Sequence, residues 1–375
     1  MIIPPAKLGI LGSGQLGQMF TQSAVQSGFT VLTYSPDSSS PAEKAGANSV
    51  IGEYTDFKKL KEFLDSVQAV SFEFENIPSE CLDYLLKYEE EKNLNFFSPS
   101  PRALQIAQDR ILEKNFFRFL EIPTVNFLLI DENTESIPSF TYPAILKTTK
   151  WGYDGKGQWK IETPEKLKEF LEKNPPSETN RYILEAVFSY EYELSVIYAR
   201  NQDGKEFIFP PVKNDHKNHI LDLTEFPAPV SEVIHDKCIS ITSSIGTNLN
   251  YVGVLAVEFF VAEDIIVANE FAPRPHNSGH FSQDASDLSQ FDLQLIAMIG
   301  GQFPENNRIQ PALMKNILGG EHYQESIRKA FDLMGKDSRY KLHLYQKLEA
   351  KTGRKMGHLN YIGRRADVSA DFFSL

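Results

Sequence analysis

Alternation of strand and helix across residues 7–92 is the feature that most narrows the folds open to this chain. Residues 7–11 read as a buried strand, a glycine turn occupies 12–17, and 18–27 can form a helix that Gly28 stops. Strand 29–34, a helix near 57–66, strand 69–74 and a helix running from Pro78 to about 92 continue the pattern. The order βαβαβα is that of a parallel doubly wound sheet. Pro99 and Pro101 then form a hinge ahead of a helical run over 102–120.

From Tyr142 onward strands follow one another directly: 144–149, 158–161, 181–186, 191–200 and 206–211, with Asn201-Gln202-Asp203-Gly204 as a hairpin turn. Strands 252–261 and 265–270 flank a tight turn, so the middle of the chain is α+β with antiparallel sheets. A helix near 287–299, a proline-bounded stretch 304–311 and short strands at 313–318, 341–347 and 356–361 complete the reading. The length of 375 residues, at about 150 per domain, agrees with two to three domains. The expected divisions are 1–101, 102–304 and 305–375.

Composition excludes some classes of partner. A net charge of -12 repels nucleic acid and anionic membranes. The apolar stretch 251–262 is interrupted by Glu258 and falls far short of the roughly 20 residues that span a bilayer. No secretory pattern opens the chain, and Cys81 and Cys238 make neither a CxxC metal site nor a disulfide framework. A cytoplasmic protein is expected. Residues 336–367, however, hold nine basic residues and three acids, a local +6 that leaves -18 elsewhere. A solvated basic face is the plain reading of that cluster, and a site for a small anion is the sharper one.

Five groups of residues carry chemistry. Gly12-Ser13-Gly14-Gln15-Leu16-Gly17 is GxGxxG between strand and helix, where amide groups can face a phosphate. A dinucleotide wants an acid at the end of the second strand; Tyr34-Ser35 stands there and Asp37 comes late, so close packing of the turn or another ligand is favoured over NAD. Gly152, Tyr153, Asp154, Gly155, Lys156, Gly157 and Gln158 follow Lys147, a glycine loop able to close over phosphates, although it is no GxxxxGK[ST] loop and a plain hairpin is its alternative. Glu258 and Glu270 sit inside otherwise apolar strands and need a compensating cation, either magnesium with a nucleotide or a structural Lys or Arg. Arg274, His276, Asn277, Ser278 and His280 crowd one proline-stiffened loop, a composition suited to a polar anionic substrate. Arg354-Lys355-Met356-Gly357-His358, near Lys347, suits a phosphate monoester.

Taken in order, these strings resemble the N5-carboxyaminoimidazole ribonucleotide synthetase family of the ATP-grasp superfamily, the ATPase subunit of phosphoribosylaminoimidazole carboxylase. Phe72-Glu73-Phe74-Glu75-Asn76, Asp109-Arg110 and the run from Asn269 to His280 add to the likeness, which extends from residue 7 to about 361. The resemblance implies a Rossmann-like N-terminal domain, a central ATP-grasp fold and a small C-terminal β-containing domain. It implies ATP contacts at Arg110, Lys147, the glycine loop, Glu185, Ala186, Val187, Phe188, Glu193, His216, Asn269 and Glu270, with Glu258 and Glu270 as magnesium ligands and manganese able to substitute. It implies contacts to aminoimidazole ribonucleotide at Gln15, Leu16, Glu73, Glu75, Asn76, Tyr153, His276, Asn277, Ser278, Lys347, Arg354 and Lys355. Asp154, Arg274 and Lys355 become the catalytic candidates.

The implied reaction is ATP-dependent carboxylation of aminoimidazole ribonucleotide by bicarbonate in purine biosynthesis, through carboxyphosphate, by a homodimer that hands its product to a mutase. Competing readings are another ATP-grasp ligase, such as a formate-dependent glycinamide ribonucleotide transformylase, and an NAD-binding oxidoreductase. Three departures from the family pattern stand out: Trp151 and His219 occupy usual glycine positions, and the tail after Tyr361 is short.

Overall fold

The structure, a computed structural model, describes residues 1–92, 96–134, 136–150 and 157–375. Strands β1 (Lys7–Leu11), β2 (Thr30–Ser35), β3 (Asn48–Ile51), β4 (Ala69–Phe72) and β5 (Phe97–Ser98) form a parallel sheet in the order β3-β2-β1-β4-β5. The alternation anticipates β1, β2 and β4; β3 and β5 are too short to display a period. Strand order reverses between β1 and β4, which opens a crevice beyond their C-terminal ends. Leu11, Phe63, Leu64, Phe72, Leu85 and Phe97 pack one face, and Leu8, Ile10, Phe20 and Val31 the other.

The helical run expected over 102–120 is two helices, Pro101–Gln108 and Arg110–Phe119. Asp109 breaks it. Its backbone is extended, and its buried carboxylate accepts the amides of Ile111 at 3.0 Å and Leu112 at 3.4 Å and takes the Arg181 guanidinium at 2.8 Å. Capping by Asp thus outweighs continuation of the helix.

Strands β6 (Phe127–Ile130), β7 (Ala144–Thr148), β8 (Gln158–Ile161) and β9 (Tyr182–Ala186) make an antiparallel sheet in the order β6-β9-β7-β8. A larger sheet holds β10 (Tyr192–Arg200), β11 (Glu206–Ile208), β12 (Val212–Lys217), β13 (Ile220–Phe226), β14 (Gly253–Ala262), β15 (Ile265–Ala272), β16 (Ala312–Leu318), β17 (Tyr340–Leu344) and β18 (Lys355–Ile362). Its order is β15-β14-β10-β12-β13-β16-β18-β17, with β11 beside β10. The last three strands therefore extend the central sheet through the β13–β16 pairing, in which Leu223 faces Lys315 and Phe226 faces Ala312.

Two of the family departures acquire a setting. His219 lies at φ +64° beside Asn218 at +50°, in the left-handed turn between β12 and β13 where glycine costs nothing. Beyond Tyr361 the chain turns back and buries Phe372, whose ring centroid lies 6.0 Å from that of Tyr340. The helix Gln290–Met298, started by a Ser289/Asp292 capping box, locks the two large sheets together. Gln294 accepts the Val254 amide at 2.6 Å and donates to the Ser98 carbonyl at 2.9 Å, which fixes the crevice of the parallel sheet against the central sheet.

Candidate active site

The glycine turn after β1 meets Glu73, the residue that follows β4. The Glu73 carboxylate accepts the amide of Gly14 and, at 3.1 Å, that of Leu16, so it caps the helix Gln15–Gln26 from across the crevice. A Cβ at Gly12, where φ is +112°, would lie 2.6 Å from Glu73 Cβ, and one at Gly14 would strike the carboxylate. The glycines therefore make room for an internal acid. The amides a dinucleotide pyrophosphate would need are already satisfied, which removes the structural basis of the NAD reading. Burial raises the Glu73 pKa, and the amides of Gly14, Leu16 and Gly17 oppose that rise.

A cavity of about 480 Å³ opens at this crevice. It is lined by Gln15, Leu16, Glu73, Glu75, Arg274, His276, Asn277, Lys347, Arg354 and Lys355, and also by Ser35, Asp37, Tyr54 and Phe74, which sequence reasoning missed. Arg274 spans from the central sheet to grip Glu75 with two bonds, Nε at 2.6 Å and Nη2 at 3.2 Å. Burial would raise Glu75, yet the Arg274 charge and hydrogen bonds hold its carboxyl below the ordinary range. Lys347 Nζ donates to Gln15 Oε1 and to the Lys355 carbonyl, both at 2.6 Å. Acids on one wall and a cationic cluster on the other suit a ligand with a phosphate at one end and N–H donors at the other. Asn76 and Ser278 do not line the cavity; Ser278 is fully buried.

A second group of residues gathers between the two antiparallel sheets. Lys147 on β7 pairs with Glu185 on β9 at 2.6 Å, and the buried Lys114 ammonium lies 3.9 Å from the same carboxylate. Burial would raise Glu185, but Lys147 and Lys114 lower it overall. Arg110 Nη1 donates to the Thr148 carbonyl at 3.1 Å. Ala186 ends β9, and Val187 and Phe188 begin the connection to β10, with Val187 exposed. On the other side Glu193 lies 3.0 Å from His216 Nδ1 and accepts the Tyr190 hydroxyl at 2.7 Å. Tyr190 stacks on Phe260 at 4.4 Å. The Gly157 carbonyl accepts the Thr148 amide, and Gln158 pairs opposite Lys147. Trp151, Gly152, Tyr153, Asp154, Gly155 and Lys156 lie outside the described residues.

Glu258 on β14 faces Glu270 on β15 in register, and the next pair is Phe259 with Ala268, so Asn269 is an extra, bulged residue. Both acids lie, as expected, inside otherwise apolar strands, although neither side chain is wholly enclosed. The bulge interrupts the alternation and Glu270 is exposed, while the Glu258 side chain is 17% exposed. Burial first and the Glu270 charge second push Glu258 up to about 8. The same two causes push Glu113 up to about 8, although its Oε1 accepts the Phe271 amide at 2.7 Å. Burial and like charge thus outweigh the cations nearby, Lys114 and Arg110 at Glu113 and His216 and Lys355 at Glu258. Among the described residues no group of three or more His, Cys, Asp or Glu could hold a metal alone. Two opposed carboxylates suit a divalent cation that completes its shell with phosphate oxygens and water.

Sequence reasoning missed Glu113 and Lys114. Lys114 donates to the Asn269 carbonyl at 2.7 Å and to Thr124 Oγ1 at 2.9 Å, so it holds the bulge that carries Glu270. The available signal was spacing: Arg110 and Lys114 are four apart, on one face of the same helix.

Three family models match the chain: a ribonucleotide synthetase preATP-grasp domain over residues 5–108, an ATP-grasp domain over 115–291, and a phosphoribosylaminoimidazole carboxylase C-terminal domain over 312–370. An N5-carboxyaminoimidazole ribonucleotide synthase from Brucella melitensis biotype 1 is 34% identical over 368 residues, covering 96% of this chain and 98% of that protein. A bifunctional purine synthesis protein from Dictyostelium discoideum is 38% identical over 385 residues; the match takes in 96% of this chain and 37% of the length of that protein. The crystal structure of N5-carboxyaminoimidazole synthetase from Staphylococcus aureus complexed with ADP superposes with a TM-score of 0.86 at 32% identity, over 96% of this chain and 94% of the other.

Proposed function

The chain belongs to the family of N5-carboxyaminoimidazole ribonucleotide synthases, and from that premise we propose how its two groups of residues divide the work. The protein is an ATP-grasp ligase that carries out ATP-dependent carboxylation in purine biosynthesis, and it uses ATP and Mg2+. In our reading bicarbonate attacks the γ-phosphate, giving carboxyphosphate and ADP. The exocyclic amine of aminoimidazole ribonucleotide then takes the carboxyl group and phosphate leaves. The observation that carries this assignment is the continuity of the site: the cavity of Glu75, Arg274, Lys347, Arg354 and Lys355 shares His276 with the Glu258–Glu270 pair, His276 Nε2 lying 3.3 Å from Glu258.

Magnesium held by Glu258 and Glu270 would neutralise the phosphates of the nucleotide. Lys147 and Arg110 add fixed positive charge beside the phosphates, and Glu193 with His216 receives the ribose side. The β9–β10 connection, Glu185 to Phe188, takes the adenine edge, and Asn269 stands beside the metal ligands. In the ribonucleotide cavity Lys347, Arg354 and Lys355 hold the 5'-phosphate, with Gln15, Leu16, Glu73 and Asn277 as further contacts; Asn76 and Tyr153 enter only through the family resemblance. Arg274, already oriented by Glu75, faces the carboxyl donor, and Asp154 manages the amine proton. The glycine loop excludes water from labile carboxyphosphate.

Oxygen-18 transfer tests the reaction. Labelled bicarbonate should leave one label in released phosphate only when ATP and the ribonucleotide are both present; label-free phosphate rejects the carboxyphosphate route. Asp154→Asn should abolish carboxylation while ADP binding survives in a fluorescence titration, and normal turnover removes Asp154 from the mechanism. The reading also includes the functional units 1–101, 102–304 and 305–375, a cytoplasmic homodimer and hand-off to a mutase. No helix among the described residues is long and apolar enough to cross a membrane. Sedimentation equilibrium checks the dimer.

A further inference from the structure

A chain of buried polar side chains runs from the middle of the central sheet to Glu258. Thr224 Oγ1 donates to Asn214 Oδ1 at 2.9 Å, Asn214 Nδ2 donates to Ser195 Oγ at 2.9 Å, and Ser195 Oγ donates to Ser278 Oγ at 2.6 Å. Ser278 Oγ lies 2.8 Å from His276 Nδ1, and His276 Nε2 lies 3.3 Å from Glu258 Oε1. Thr224, Ser195 and Ser278 are fully buried and Asn214 nearly so.

The direction of this chain is set by its end, because a peptide N–H can only donate. The Ser278 amide donates to His276 Nδ1 at 3.3 Å, so that ring nitrogen is an acceptor and carries no proton. Ser278 Oγ already receives the Ser195 hydroxyl, which leaves its own hydrogen for the same nitrogen. In the neutral imidazole the proton must then sit on Nε2, the nitrogen that faces Glu258.

We propose that His276 is a positioning residue for the metal-binding carboxylate: the Thr224–Asn214–Ser195–Ser278 chain fixes it as the Nε2–H tautomer, and that N–H orients Glu258 toward the divalent cation. The proposal rests on the reading of Glu258 and Glu270 as cation ligands. It gives His276 a different duty from ribonucleotide binding, and it gives the buried Ser278 a duty at all. Outer partners that orient a ligating carboxylate are worth about 10- to 100-fold in metal affinity.

Two measurements on the full chain test it. The first is the 15N spectrum of protein labelled at histidine, with the His276 signals assigned from the spectrum of His276→Gln. Nε2 should carry the proton and Nδ1 should not. A protonated Nδ1 overturns the proposal whatever the metal does. The second is Mn2+ binding in the presence of ADP, followed by electron paramagnetic resonance. His276→Gln and Ser278→Ala should each bind Mn2+ about tenfold or more weakly, with the KM for Mg-ATP raised and, in Ser278→Ala, whose side chain does not line the cavity, that for the ribonucleotide unchanged. Unaltered Mn2+ affinity in both variants, or a raised ribonucleotide KM alone, rejects the positioning role. Glu258→Gln separates the two readings: if it binds Mn2+ as the parent does, the metal assignment is wrong, even where the tautomer is as stated. Ser195→Ala, one step farther from the ring, guards against a folding defect, since it should weaken Mn2+ binding less than Ser278→Ala.

Discussion

Two pairs of glutamates face the two ligand regions, and the protein treats them in opposite ways. Glu73 and Glu75, beyond the parallel sheet, are matched by the protein itself: Glu73 by the amides of Gly14 and Leu16, Glu75 by the fork of Arg274. Glu258 and Glu270, opposed across two antiparallel strands, are left to repel one another, and Glu258 is pushed up to about 8 by burial and by Glu270. The first pair consumes its charge in holding loops in place. At the second, burial and like charge outweigh the nearby cations, so that a bound divalent cation would relieve a cost already present in the fold.

The sharpest way to break this contrast is to neutralise the unmatched pair. Glu258→Gln or Glu270→Gln should reduce turnover more than about 100-fold, because on the proposed reading each would remove a carboxylate that holds the divalent cation, and with it several kcal/mol of transition-state stabilisation. The metal-free proteins should nevertheless be as stable as the parent or more so in thermal melts. A variant that loses stability along with activity would show that the acids were matched after all. Glu75→Gln should do the reverse. It leaves Arg274, whose side chain is 19% exposed, without its carboxylate, at a cost of about 2 kcal/mol in denaturant unfolding. Glu73→Ala comes next, at about 1–2 kcal/mol for two amides left uncapped, and should be milder as Glu73→Gln.

Much of the fold was legible because burial on both faces of a parallel sheet writes apolar runs into the sequence, as in β1 and β4. The strands that escaped are of another kind. Lys213-Asn214-Asp215-His216-Lys217 in β12 is polar because it supplies the His216–Glu193 contact and the buried chain to Ser278, so its period is masked. The break at Asp109 was hidden for a related reason: the aspartate is a cap set by Arg181, a residue 72 positions away. In the candidate site, the motifs indicated which residues come together more readily than which way they face. GxGxxG left open close packing of the turn or a ligand, and its amides are taken by Glu73 of the same chain. Lys114 and Glu113 carried no motif of their own, and their part follows only from the bulge at Asn269 that brings Glu270 beside them.

The smallest effect compares one member of each pair directly, because it has opposite sign in Glu75 and Glu258. Glu75 is held below its ordinary pKa: burial raises it, but Arg274 outweighs burial. Its contribution to stability is therefore present above the unfolded value and lost as pH falls through the lower folded value. The stability gap between the parent and Glu75→Gln should be constant near neutrality and close below about pH 4.5. Glu258 is displaced upward, so in metal-depleted protein its contribution is present below the unfolded value and lost as pH rises towards about 8. Relative to Glu258→Gln, the metal-depleted parent should lose stability across that interval, by at most about 1.4 kcal/mol per pH unit for one proton. Adding Mg2+ with ADP should flatten the slope, since a bound cation takes over from the proton. Chemical denaturation at a series of pH values measures both gaps in one experiment. Slopes of the same sign would mean that Glu75 and Glu258 are matched alike, and the cation would then need another source of affinity.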